Sequence, residues 1–234
     1  MQQHLITLFC ICITVGAYIF FRALYRRFNH PLLNVVVLSA AAVICILLLL
    51  DIPYEDYVPA QEIITVLIGP ATVGLAVPLY RYRRLLVSSA TSIITSVAVG
   101  SLLAMSLASG IAAVGGLPEE VVMSILPKGV SIPFAVEVAG IFGGIPALAA
   151  AFVVATGTLG SLLGAWTLNL FRIKDPMGRG LALGTVSHAQ GTAVALEEGD
   201  LPGAMAGLAM ILAGLFTAAL SPLVVPLLRW AVSF

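Results

Sequence analysis

Two short stretches concentrate the polar chemistry of this 234-residue chain. "SILPKGVSIPFAVE", residues 124–137, sets Lys128, Ser131 and Glu137 around Pro127, Gly129 and Pro133. "GLALGTVSHAQGTAVAL", residues 180–196, gathers Thr185, Ser187, His188, Gln190 and Thr192 between Gly184 and Gly191. An ammonium, several hydroxyls, an imidazole and an amide are binding groups for a small anion. They make a poor nucleophilic centre: Ser187 and His188 are neighbours, which point about 100° apart on a helix, and no third partner or oxyanion site accompanies them. No enzyme activity is expected. Cys10, Cys12 and Cys45 show neither metal-ligand spacing nor an evident disulfide pairing, and no nucleotide-binding loop occurs, so no metal or cofactor is expected.

The elements that must position these groups follow from composition. The chain is 60% hydrophobic, 9% charged and of mean hydropathy +1.10, far from a soluble domain. An all-α integral membrane protein is expected, one membrane domain embedded in a lipid bilayer. Zero net charge argues against a nucleic-acid partner. Apolar runs occupy 5–21, 32–52, 62–80, 86–109, 121–142, 145–169, 180–196 and 203–228, against about 20 residues needed per crossing. Cations follow the first run rather than precede it, so it reads as a transmembrane helix and not a signal peptide.

Basic residues cluster as Arg22, Arg26 and Arg27; Arg81, Arg83 and Arg84; and Arg172, Lys174 and Arg179, with Arg229 near the C-terminus. The positive-inside rule asks all of them to be cytoplasmic. That is met if 121–142 dips in from outside and returns, giving seven crossings plus one re-entrant hairpin, N-terminus outside and C-terminus cytoplasmic. Most acids, including Glu119, Glu120, Glu197, Glu198 and Asp200, then fall at outer ends. Pro127 removes a donor, Gly129 permits the tight turn, and Pro133 suits the first turn of the returning half-helix.

Irregular backbone at membrane depth must be buried in protein or line a wet cavity. Two further interruptions are expected, at Gly69, Pro70 and Gly74 in 62–80 and at Gly184 and Gly191 in 180–196, running in opposite directions. Matched interruptions in two halves point to a transporter's midplane site. The halves divide as residues 1–115 and 116–234, an inverted repeat whose second member starts with the hairpin. Half-helix N-termini favour anions, and Lys128 adds charge, so a small carboxylate is the expected ligand. Ser131, Thr72, Ser187, Gln190 and Thr192 would complete its hydrogen bonds. His188 is either a proton carrier or a helix–helix hydrogen-bonding group. Glu137 is a partner of Lys128, a proton carrier, or, as its nine positions of rise favour, a residue near the outer surface. Gly157, Gly160 and Gly164, with Gly203 and Gly207, suggest close helix packing or a sliding surface between bundles.

These segments, with "GPATVGLAVPLY", "GGIPALAA" and "GAMAGLAMILAGLFTAALSP", resemble the LrgB/CidB family of antiholin-like bacterial membrane proteins over nearly the whole chain. The resemblance implies two functions: modulation of murein hydrolase export and autolysis with a small LrgA/CidA-type partner, or transport of small monocarboxylates such as pyruvate, lactate, glycolate or glycerate. It also implies the bacterial cytoplasmic (inner) membrane. By the same resemblance Lys128, Ser131 and Pro133 form the family's lysine hairpin and Ser187 and His188 its Ser-His pair. Val194 stands where many relatives have a basic residue, and Gln190 where they have an apolar one. The favoured expectation is a proton-coupled monocarboxylate carrier that is not an enzyme and acts as a homodimer.

Overall fold

A computed structural model of the chain describes residues 2–28, 35–67, 70, 73–74 and 76–232. Every regular element among them is a helix, as composition requires, and four helices are long and apolar enough to cross a membrane: His4–Tyr25, Ala90–Val114, Pro146–Leu170 and Asp200–Ala231. The chain divides into two compact units, Met1–Val77 and Pro78–Phe234.

In the first unit α1 (Gln2–Phe28), α2 (Val35–Leu49) and α3 (Tyr54–Val66) pack around Cys10, Val43, Leu47 and Ala60. The three cysteines are free thiols, Cys10 buried and Cys12 and Cys45 exposed. α3 starts before the expected residue 62, because Pro53 caps it in an extended conformation and Glu55 and Asp56 complement its N-terminal dipole. It stops at Val66, with Leu67 in a turn. Gly69 and Thr72 lie outside the described residues. Pro70 and Gly74 are helical and exposed, and regular helix resumes with α4 (Ala76–Arg81), inside which the unit boundary falls.

The second unit continues with α5 (Arg83–Ser88), α6 (Ala90–Val114), α7 (Glu119–Ile125), α8 (Ile132–Ile141), α9 (Pro146–Leu170), α10 (Pro176–Glu198) and α11 (Asp200–Val232). At 1.5 Å per residue α7 and α8 are only about 10 and 15 Å long, against a hydrocarbon core of about 30 Å. The turn joining them is tight, Lys128 N–H donating to the Ile125 carbonyl and Val130 N–H to that of Pro127. Together they form a first hairpin. Pro133 sits in the opening turn of α8 behind the N-cap Ser131, as expected. Gly129 does not take a positive φ, unlike Gly116, Gly143 and Gly199, so the turn does not need its handedness.

α10 corrects the sequence reading more sharply. It begins in the ordinary way, Asp175 accepting from Gly178 N–H at 2.7 Å with Pro176 in the first turn. At His188 the backbone leaves the helix, with φ 42° and ψ −129°. Beyond that point the chain turns back: Gly191 lies against the carbonyl of Leu183, and Glu198 pairs with Arg179. Residues 180–196 are therefore a second hairpin of two helical arms and not a crossing.

Ion pairs fix which ends lie together. Arg81 pairs with Asp200, and Arg179 with Glu198, Asn169 and the Ile173 carbonyl, which gathers the ends of α4 and α9, both ends of α10 and the start of α11. Arg229, 29 positions and about 44 Å along α11 from Asp200, pairs with Glu119 and the Phe142 carbonyl at the open end of the first hairpin. The two hairpins thus open at opposite ends of α11. The arginines do not all share one side, nor are Glu198 and Asp200 separated from the cations; the expectation failed because it took 180–196 as a crossing.

Candidate functional site at the hairpin tips

The tips of the two hairpins meet. A side chain on Gly129 would stand 3.6 Å from the Thr185 carbonyl oxygen and 3.8 Å from that of Val186, so the first turn abuts the last residues of α10's first arm. Packing holds this junction. Val130 belongs to one buried cluster with Val97 of α6, Leu181 of α10 and Met205 of α11, while Met123 and Leu126 join Met105 of α6 and Val225 of α11 in another.

Lys128 is half-buried beside this junction, and no carboxylate pairs with it among the described residues, whose ion pairs all lie elsewhere. Glu137 is exposed on α8, so it is not the partner of Lys128. Ser131 is half-buried at the N-cap of α8 and makes no capping bond with its own side chain, which leaves the first N–H groups of that half-helix to other acceptors. Pro127 is fully buried under the turn.

The second tip is densely packed. His188 is 6% exposed, and its Nε2 lies 3.0 Å from the Val153 carbonyl of α9. A carbonyl can only accept, so Nε2–H donates and the neutral ring keeps Nδ1 as an acceptor. His188 thus makes a hydrogen bond from α10 to α9. Thr192 donates to the His188 carbonyl at 2.9 Å and Thr185 to Leu181 at 2.7 Å, so both hydroxyls are engaged locally. Ser187 is buried against Gly160, where any Cβ would overlap its Oγ. At Gly157 a Cβ would come within 2.6 Å of the His188 ring, and at Gly164 within 2.6 Å of Leu183. The glycine series on α9 is therefore a close-packing surface for the second hairpin, and Gly203 likewise receives Leu196.

Gly184 and Gly191, expected as breakers, serve proximity instead. Gly184 packs on the Ala206 backbone and Gly191 on the opposite arm at Leu183. The break itself falls on His188. Two buried side-chain oxygens lack partners among the described residues, Gln190 Oε1 and Ser101 Oγ. Ser101 was not foreseen, because a serine inside α6 is indistinguishable in sequence from Ser96, Ser106 or Ser109.

At the open end of the second hairpin Arg179 grips Glu198 through two hydrogen bonds, 2.7 Å from Nε and 2.5 Å from Nη2. These bonds raise the guanidinium above its ordinary pKa despite some burial, and so keep it charged.

The model of the LrgB-like family matches residues 14–227. The chain belongs to that family. The LrgB-like chain is similar to YxaC of Bacillus subtilis, 37% identical over 96% of this chain and 98% of the relative, and to YwbG of the same organism, 35% identical over 90% and 93%. It is also similar to the holin-like protein CidB of Staphylococcus epidermidis, 30% identical over 96% and 98%. No solved structure gives a significant match. An LrgB-like, multi-pass membrane protein accounts for both the apolar helices and these relatives.

Proposed function

We propose that the protein is a secondary carrier of small monocarboxylates of the pyruvate, lactate, glycolate or glycerate type, and not an enzyme. The observation that carries this reading is the meeting of two hairpin tips from opposite ends of α11, with an unpaired, half-buried lysine at the junction. A re-entrant tip brings half-helix termini to membrane depth, where returning arms present free N–H groups and the positive end of their dipoles. Lys128 supplies the counter-charge. Ser131 and the N–H groups opening α8 and the second arm of α10 orient the carboxylate. Ser187, His188, Gln190 and Thr192 hold the tip that carries them.

In this reading the second unit is an inverted pair: a crossing and a hairpin, α6 with α7–α8, answered by a crossing and a hairpin, α9 with α10, and closed by α11. Six cations, Arg81, Arg83, Arg84, Arg172, Lys174 and Arg179, are assigned to the cytoplasmic face of the inner membrane, against Arg229 alone outside. The C-terminus then lies outside, and the same rule applied to α1 by itself keeps the N-terminus outside. Alternating access comes from one hairpin-bearing half rocking on the other, within a homodimer, and His188 Nδ1 is the acceptor available for a coupled proton. The decisive experiment is uptake of labelled pyruvate, lactate and glycolate by proteoliposomes under an imposed pH gradient. Saturable uptake lost in Lys128→Ala supports the carrier; unchanged uptake in that variant removes the lysine from the site.

The holin-like name of the CidB relatives favours a second reading, the one the family resemblance implies: an antiholin-like regulator of murein hydrolase export and autolysis acting with an LrgA/CidA-type partner. It predicts dye leakage governed by the co-expressed partner and no saturable uptake.

A further inference from the structure

The two unpartnered oxygens do not mark one place. Gln190 faces α9 at Gly157, whereas Ser101 belongs to α6, whose Gly100 touches Thr185 on the other flank of the second hairpin. Ser101 is the more informative. It is 3% exposed and lies midway along a 25-residue crossing helix, at the depth of the hairpin tips. Buried hydroxyls in membrane helices ordinarily donate to the carbonyl four residues back, as Ser109, Thr185, Thr192 and Ser221 all do here at 2.6–2.9 Å. Ser101 does not.

Its direction is set by its neighbours on the same face of α6. Val97, one turn before it, shares a buried cluster with Val130, and Met105, one turn after it, shares one with Leu126. Those two residues flank Lys128. Residues four apart lie on one helix face, so Ser101 lies on the face of α6 that carries both of these neighbours, within the packing that surrounds the lysine-bearing turn. A buried polar group without a partner calls for an explanation, and an acceptor held beside Lys128 provides one.

We propose that Ser101 is a substrate-binding residue whose hydroxyl donates a hydrogen bond to an oxygen of the carboxylate held between the hairpin tips. The assignment rests on the carrier reading above and adds α6 to the elements that form the site. With Lys128 and Ser101 both serving as donors, each carboxylate oxygen would have a side-chain partner, which favours a planar monocarboxylate over a spherical anion such as chloride.

The test uses the full chain in proteoliposomes with labelled pyruvate, lactate and glycolate as probes, and the variants Ser101→Ala and Ser101→Cys. Both conserve the space, but neither offers a strong donor. A hydrogen bond to a charged group corresponds to roughly a 10- to 100-fold effect, so both variants should raise the KM about 10-fold or more, with maximal rate near that of the unchanged protein. Their melting temperature without substrate should be unchanged or higher, since an unsatisfied hydroxyl has been removed, and the melting shift induced by 10-fold KM substrate should shrink. Wild-type uptake with an unaltered KM in both variants overturns the Ser101 assignment alone. Absence of uptake and of any carboxylate-induced melting shift in the wild type overturns the carrier reading on which it rests.

Discussion

Arg179 and Glu198 are 19 residues apart on α10, yet their side chains share two hydrogen bonds. A continuous helix would hold them about 28 Å apart. The pair is therefore a direct statement that α10 doubles back. Cysteines placed at both positions, in a background without Cys10, Cys12 and Cys45, should be joined by a short bifunctional thiol reagent; no cross-link would mean a crossing helix. Each charge-assisted bond contributes about 2 kcal/mol, so Arg179→Ala and Glu198→Gln should each lower the melting temperature in detergent, and the exchange Arg179→Glu with Glu198→Arg should recover most of the loss. Arg81 and Asp200 form a pair whose side chains are 64% and 68% exposed, and its removal should change stability by less than about 1 kcal/mol.

The opposite openings of the hairpins make a second prediction. Single cysteines at Asp200 and at Arg229 should react with an impermeant maleimide from opposite faces of the membrane, and Glu119→Cys should follow Arg229→Cys. Labelling of positions 200 and 229 from one face would contradict the arrangement of α11.

Close packing between α9 and the second hairpin predicts opposite signs for the same substitution. At Gly160 a methyl group would occupy the space of Ser187 Oγ, and overpacking of this kind costs about 1–3 kcal/mol. At Gly110 of α6 nothing lies within 4 Å of the added carbon, so Gly110→Ala should stabilise by about 0.5–1 kcal/mol through helix propensity. Thermal melting of the two variants checks the contrast, and equal shifts would show that the α9 glycines are not contact positions.

The legible part of the fold was what depends on local chemistry. Pro127 and Pro133 bracket a reversal, and 60% apolar content demands buried helices, so the first hairpin and the membrane class could be read directly. The second hairpin could not, because its reversal needs no proline and its two glycines signal contact rather than a bend. Residues 180–196 have the length of a crossing, and only the long-range pairing of Glu198 with Arg179 distinguishes a crossing from a return. Charge counting then inherited that error and placed Arg229 on the wrong side of Glu119. For the site, Lys128 and the polar run were visible as isolated polar groups, whereas Ser101 depends on which face of α6 meets the turn, a tertiary fact. Thr72 and Gly69 lie outside the described residues, so the first interruption rests on sequence.

His188 allows a prediction whose sign is the reverse of ordinary helix behaviour. Alanine normally exceeds glycine by about 0.5–1 kcal/mol inside a helix. At φ 42° and ψ −129° a side chain is strained by about 1–3 kcal/mol, and only glycine escapes that cost. Both His188→Ala and His188→Gly lose the hydrogen bond to the Val153 carbonyl, so their difference isolates the backbone. His188→Gly should therefore melt higher than His188→Ala. Were His188→Ala the more stable, residue 188 would have regular helical backbone, α10 would run straight, and the tip that abuts Gly129 would not exist.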